Sequence, residues 1–296
     1  MKPTIAVMSP GDMGHAVAAV LRHGGLRVIS QLDGRSQRTR TLADHAGIEA
    51  VANDAALVRE ADIVLAILVP AQAIVLAERV ASAIAASGAR PLYVDCNAIA
   101  PQTARRIAEV IESAGAGFVD AGIIGAPPRP GGSSTRFYAS GRDAAAFARL
   151  GEFGLDVRVV GDQPGQASAL KMCYAALTKG ATALMTELSI AAARLGVSDA
   201  LSAEFAQSQP AMLERMQRAV PEMVPKAHRW VGEMEEIAKT FEACGLTPRT
   251  FQGAAELYAQ VAASRLGRMS PEEWRRHGAS FEAVVRALAR NGSNDD

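Results

Sequence analysis

The chain has 296 residues, 49% hydrophobic and 21% charged, and its 31 basic and 31 acidic side chains balance to a formal net charge of +0. That length accommodates two domains with sizeable cores, while the charge balance removes the electrostatic case for nucleic acid or an anionic membrane as a partner. Cys96, Cys173 and Cys244 are too few and too scattered for a disulfide framework or a zinc motif, so a reducing cytoplasm is expected and no metal.

Thr4 to Met8 is a short apolar run with β-branched residues and predicts a buried strand. No secretory leader is expected before it. The tight turn Ser9-Pro10-Gly11-Asp12-Met13-Gly14 follows, and His15 to Leu21 predicts a helix. Strand, glycine turn and helix form the phosphate-binding half of a dinucleotide site, where free backbone N–H groups and the helix dipole meet a pyrophosphate. The fingerprint is degenerate, because Ser9 stands at its first glycine.

Arg27 to Leu32 predicts the second strand, ending in Asp33-Gly34-Arg35-Ser36. An acidic residue here favours a free ribose 2′-hydroxyl, whereas arginine and serine favour a 2′-phosphate. Arg35, Ser36 and Arg38 outweigh Asp33, so NADP is the expected cofactor and NAD the alternative. The alternation continues through helix 36–46, strand Glu49 to Val51, helix 53–60 and strand Ile63 to Leu68. Val69-Pro70 closes that strand beside the expected adenine, and the apolar run from Ile63 to Pro70 is far too short to span a bilayer. Helix 71–87, strand Leu92 to Asp95 and helix 101–115 come next. The pattern predicts an α/β Rossmann-type, doubly wound parallel sheet that binds ligands beyond its carboxyl strand ends. Asn97 lies at such an end, where its amide suits either a nicotinamide or substrate contact or a local turn cap.

Gly117 to Ala121 predicts a further strand, leading into Gly122-Ile-Ile124-Gly125-Ala126, whose small residues let backbone N–H groups approach a substrate anion. Arg129 sits in the proline- and glycine-rich loop beyond it. Arg136 to Ser140 and Val157 to Val160 predict closing strands around helix 143–151. After Asp162 the strand signals stop. Helices are predicted at 163–195, 198–218, 221–240 with a break near Pro225, 248–264 and 271–290, and Asn291 to Asp296 as a disordered polar tail. The expected domains are 1–162, an NAD(P)-binding Rossmann domain, and 163–296, an all-helical substrate and dimerisation domain. In helix 163–195, Pro164 suits the first position, and Leu170, Cys173, Leu177, Leu184 and Leu188 make one apolar stripe. Lys171 stands near its start.

Together these segments resemble the β-hydroxyacid dehydrogenase and 6-phosphogluconate dehydrogenase superfamily over most of the chain. Ser9 to Gly14 is similar to the family's G-x-G-x-M-G. Asp95 to Pro101 resembles its D-x-S-T-x-x-P segment, with Asn97 as in the phosphogluconate enzymes. Phe118 to Ala121 followed by Gly125-Ala126 resembles the substrate segment D-A-P-V-S-G-G, and Gly165 to Lys171 the segment G-x-G-x-x-x-K that carries the catalytic lysine. The residues around Lys171, Ala227 to Trp230 and Glu233 to Ala238 resemble a subgroup whose helical C-terminal domain has no assigned function. The resemblance implies a homodimer with interlocking helical domains. It also implies hydride transfer between NAD(P) and a small hydroxy acid or related alcohol, with Lys171 as general acid/base.

The departures define what else to examine. The family's serine is Ile124, its second glycine Ala126, the lysine's asparagine partner Ala175, and the lysine of its K-D-L segment Gly232. Tyr174, Thr178, Lys179, His228 and Arg229 are the polar candidates to replace them around a larger, less polar pocket. An ammonium near pKa 10.4 is a poor base at pH 7, and desolvation or a neighbouring cation such as Lys179 would bring it toward about 7–8. An imine reductase-like enzyme and a cofactor-binding scaffold or sensor without turnover are the alternative readings.

Overall fold

The computed structural model describes residues 2–132 and 134–290. The predicted tail 291–296 lies outside them. The chain divides into two compact units, 1–173 and 174–296.

The first unit is built on an eight-stranded sheet of order β3-β2-β1-β4-β5-β6-β7-β8. The strands are β1 Thr4–Met8, β2 Arg27–Gln31, β3 Glu49–Val51, β4 Ile63–Ala66, β5 Leu92–Asp95, β6 Gly117–Ile124, β7 Arg136–Ser140 and β8 Asp156–Gly161. β1 to β6 run parallel, β7 is antiparallel to β6, and β8 is parallel to β7. The sheet is therefore mostly rather than wholly parallel. Its first six strands have the order of a dinucleotide fold, and the direction of winding switches between β1 and β4.

Both sheet faces are buried by helices α1 Asp12–His23, α2 Gln37–His45, α3 Asp54–Glu60, α4 Ala73–Ser87, α5 Pro101–Ser113 and α6 Ala144–Ala148. Val94, Val119 and Phe137 enter a core shared with Val17, Leu21 and Phe147. Tyr93 and Phe118, one residue earlier on β5 and β6, enter the opposite core with Leu76, Val80 and Ile107. Period-two alternation then puts Asp95, Asp120, Gly122 and Ile124 on the same face as Tyr93 and Phe118.

Several boundaries differ from the sequence expectation. β4 stops at Ala66, two residues early, and β6 runs on to Ile124 because Gly122 to Ile124 pair with Tyr138 to Arg136. Helix α7 spans Gln166–Arg194 and starts after Pro164, because Gly165 (φ +99) makes the turn into it. An alanine Cβ at Gly165 would also meet the Pro101 carbonyl at 3.0 Å. The apolar stripe of α7 is not its buried face. Leu177 and Leu184 are 67% and 63% exposed, while Met172, Ala175, Ala176, Thr182, Ala183, Met185, Thr186 and Ser189 are buried.

The second unit contains α8 Ser198–Ser208, α9 Pro210–Met223, α10 Ala227–Ala243, α11 Arg249–Ala263, α12 Pro271–His277 and α13 Phe281–Arg290. The single helix expected at 198–218 breaks because Gln209 precedes a proline and takes φ −143, ψ 53. Pro221 lies inside α9, and the break near Pro225 is a 3-10 turn, Val224–Lys226. Helix 271–290 is divided at Gly278, which has φ +53. α10 and α11 pack through Phe241 and Phe251, whose ring centroids are 4.6 Å apart. Among the described residues no helix is long and apolar enough to cross a membrane, and no group of His, Cys, Asp or Glu is arranged to hold a metal.

Candidate functional site

Both candidate regions of the first unit lie at the carboxyl edge of the sheet. At β1, Ser9 turns the chain with φ +58, the only positive φ outside glycine among the described residues. The conformation asks for glycine, and serine adopts it under strain. The Gly11 N–H donates to the Ser9 carbonyl at 2.7 Å, and the His15 Nδ1–H donates to the Gly11 carbonyl at 2.8 Å. His15 thus braces the turn, a role with no sequence signal beyond its place four residues after Gly11. A Cβ at Gly14 would meet the Ser9 carbonyl at 3.2 Å and Val7 at 3.3 Å, so Gly14 lets helix and strand close together. A Cβ at Gly11 would have only the Ser9 oxygen, at 3.9 Å, near it. No side chain caps α1. An open glycine and a helix N-terminus uncapped by side chains fit a dinucleotide pyrophosphate. Pro10 is buried, Met13 half-buried and Asp12 exposed; Asp12 forms an ion pair with Arg38.

The ribose end carries several guanidinium groups. Burial, followed by the charge of Arg79, lowers the Arg35 pKa, with Asp54 acting the other way. Arg79 is held by Asp54 at 2.7 Å, and Arg40 Nε donates to the Arg35 carbonyl at 3.3 Å. The Ser36 hydroxyl caps α2 by accepting from the Thr39 N–H at 3.2 Å. After β4, Val69 is 49% exposed and Pro70 opens a 3-10 turn. At the end of β5 the Asn97 side chain is 2% exposed. Its amide donates to Asp95 Oδ2 at 3.0 Å, and its oxygen accepts from the Leu68 N–H at 2.7 Å. Asn97 therefore ties the ends of β4 and β5 together.

The reactive-side candidates are assembled by long-range hydrogen bonds. Asp120, wholly buried on β6, accepts from the N–H groups of Gly165 and Ser168 at 2.9 Å each. It also accepts from the hydroxyls of Ser168 at 2.6 Å and Ser140 at 3.2 Å. Ser140 in turn accepts from the Ala167 N–H at 2.9 Å. A strand carboxylate and a strand hydroxyl thus cap the first turn of α7 from outside the helix, and sequence offers no local motif for it. Two residues along β6, Gly122 underlies Lys171. A Cβ there would stand 3.0 Å from Lys171 Cβ, 3.1 Å from the Ala167 carbonyl and 3.3 Å from Lys171 Cδ. Asp120 fixes the start of α7, and Gly122 lets Lys171 lie on the strand.

Asp95 and Asp120 are register partners on β5 and β6. Burial raises Asp95 to about 7, opposed by its bond from the Asn97 backbone; the charge of Asp120 adds to the rise and that of Lys171 draws it back. Burial also raises Asp120, against its four donors. Lys171 therefore stands within the field of Asp95. Ile124 is buried, Gly125 (φ +131) closes on Thr135, and Ala126 accepts from the Thr135 hydroxyl.

The remaining candidates belong to the second unit. Tyr174 is 50% exposed, and its carbonyl accepts from the Thr178 hydroxyl at 3.1 Å. Lys179 forms an ion pair with Glu233 and lies 5.1 Å from the Trp230 ring. Tyr258 O–H donates to the Lys179 carbonyl at 2.5 Å, and its ring meets Trp230 edge-on at 5.3 Å. Lys179 is thereby engaged on α10. His228 and Arg229 lie at exposed positions of the first turn of α10, where partial desolvation and then the Arg229 charge lower the His228 pKa.

The fold and the fingerprint geometry define a Rossmann-type dinucleotide-binding protein. The family model of the NAD-binding domain of 6-phosphogluconate dehydrogenase matches residues 4–153, and the chain belongs to that family. A domain of unknown function, DUF1932, matches residues 192–261. An uncharacterised 28.5 kDa protein in the 7S RNA 5′ region of Methanothermus fervidus is 31% identical over 168 residues, 57% of this chain and 62% of that relative. The chain is similar to a conserved protein of unknown function whose structure shows similarity to 3-hydroxyacid dehydrogenases: 28% identity, 93% and 99% coverage of the two chains, TM-score 0.67. It shares its fold with 3-hydroxyisobutyrate dehydrogenase of Mycobacterium tuberculosis, at 20% identity, 97% and 99% coverage and TM-score 0.69.

Proposed function

We propose that the protein is an NADP-preferring oxidoreductase that acts on a hydroxy acid or related alcohol, with Lys171 as the general acid/base. The observation that carries this reading is the seat of Lys171: a half-buried lysine laid on Gly122 at the carboxyl end of β6, near the start of a helix capped by Asp120. The nicotinamide, when bound, supplies or accepts the hydride. Lys171 Nζ takes the hydroxyl proton as the carbonyl forms and returns it in reduction. Gly11 and the α1 N-terminus would hold the pyrophosphate, Val69 and Pro70 would flank the adenine, and Arg35 would meet the 2′-phosphate. The surplus positive charge of Arg35, Arg79 and Arg40 at that end supports NADP over NAD. A panel of hydroxy acids, alcohols and imines with NADPH and NADH tests the activity. Arg35→Ala should weaken NADPH binding at least about tenfold and leave NADH binding within about twofold, since one charge-assisted contact is worth roughly 1.5–3 kcal/mol. Equal loss for both cofactors would reject the 2′-phosphate role.

The exposed stripe of Tyr174, Leu177 and Leu184 supports a homodimer formed through α7. Leu177→Asp with Leu184→Asp should give a monomer by light scattering. An unchanged mass would remove this face from the interface.

A further inference from the structure

Ile124 leaves the end of β6 without a hydroxyl, but the neighbouring strand brings a charge to the same place. In the antiparallel pair, Arg136 lies opposite Ile124 and Tyr138 opposite Gly122. Opposed residues share a sheet face, so Arg136 stands on the face that carries Gly122 and, above it, Lys171. Arg136 is the diagonal neighbour of Gly122, roughly 7–8 Å away and within reach of long side chains.

The Arg136 Nε is buried and has no hydrogen-bond partner among the described residues. The acidic residue in register with Arg136 on β8 is Asp156. Each Asp156 oxygen accepts from Arg158, at 3.0 and 2.8 Å, and the Arg136 charge acts on that carboxyl without a hydrogen bond from its Nε. A buried guanidinium N–H left unmatched is costly, and a carboxylate can accept two parallel N–H bonds from the guanidinium fork. Next to it, the Thr135 hydroxyl donates to the Ala126 carbonyl, and Gly125 leaves no room for a Cβ against Thr135. The strand end that presents Arg136 is therefore firmly built.

We propose that Arg136 is the anion anchor of this site: its guanidinium takes the carboxylate of a hydroxy acid whose hydroxyl faces Lys171. The inference rests on the reading of Lys171 as acid/base and assigns the substrate class to the acids rather than the uncharged alcohols. It also explains how an apolar Ile124 is tolerated, since the counter-charge comes from β7 rather than β6.

Calorimetric titration of the NADPH-loaded protein with 3-hydroxypropanoate, and with propane-1,3-diol as its uncharged counterpart, tests the proposal without turnover. The wild type should bind the acid at least about tenfold more tightly than the diol. Arg136→Gln should abolish that preference and leave diol and NADPH affinities unchanged. Arg136→Lys, which keeps the charge but loses the fork, should fall between them, and it decides the matter if Arg136→Gln does not fold. No preference in the wild type, or a full preference retained in the variants, would overturn the anchor. The two readings fail separately. Loss of the preference in Arg136→Gln with full turnover in Lys171→Met would leave the anchor standing and remove the acid/base role. The reverse pair of results would do the opposite.

Discussion

At the carboxyl end of β1 the protein presents backbone; at the ends of β5 and β6 it presents buried side chains. The first region depends on what is missing: no Cβ at Gly11 or Gly14, and no side-chain cap on α1. The second depends on what is present: Asp120 with four donors, Asp95 beside it, and Lys171 on Gly122. A backbone cradle meets a ligand common to a whole fold class. A polar cluster of this kind fixes the start of α7, and with it the backbone of Lys171, in one place.

That contrast sets the order of expected effects. Asp120→Ala should be the most damaging, because it strands the Gly165 and Ser168 N–H groups in a buried place. At about 1–3 kcal/mol per unmade buried bond, the loss should exceed about 3 kcal/mol in urea denaturation. A loss below about 1 kcal/mol would mean that water or a shifted helix replaces the cap. Gly122→Ala should come next, at about 1–3 kcal/mol, because its Cβ presses on Lys171 and the Ala167 carbonyl. Turnover should fall with it, while NADPH affinity should not.

Asp95 provides a pH test of the same region. Its folded pKa is raised from 3.8 to about 7, so between these values the folded state binds the proton that the unfolded state has released. Its contribution therefore weakens as pH rises from about 4 to about 7. Asp95→Asn should cost stability through the Asn97 bonds at every pH, yet gain on the wild type across that window by up to a few kcal/mol, each pKa unit being about 1.4 kcal/mol. Parallel stability curves for the two proteins would show that Asp95 is not held protonated.

The smallest effect belongs to the backbone region. Ser9→Gly should relieve the left-handed turn and stabilise the protein by up to about 1 kcal/mol with cofactor affinity intact. Destabilisation would mean that the serine hydroxyl makes a contact worth more than the strain.

The same contrast explains which parts were legible in the sequence. Local patterns predicted β1, β5 and β7 to the residue, and the strand–turn–helix fingerprint identified the dinucleotide end despite Ser9. The cap on α7 joins residues 45 and 48 positions apart, so no window along the chain contains it. Asn97 illustrates the limit: its position suited both ligand contact and turn capping, and its bond from the Leu68 N–H, 29 positions away, lies outside any local window. On α7, periodicity found an apolar stripe, but burial follows the small and hydroxyl residues. Thr178, Thr182, Thr186 and Ser189 bond back to carbonyls one turn earlier, while Leu177 and Leu184 face outward. Gly180 allows Phe251 to within 3.2 Å of where a Cβ would be, a close approach that hydrophobicity alone does not signal.

The central claim is that Lys171 exchanges the proton while the rest of its surroundings hold it in place. The most direct measurement compares Lys171→Met with the wild type on the best substrate of the NADPH panel, under single-turnover conditions. NADPH affinity should be unchanged and the rate reduced by about 10²–10⁴, the range of a lost general acid/base. A rate within about tenfold of the wild type at unchanged NADPH affinity would contradict that role.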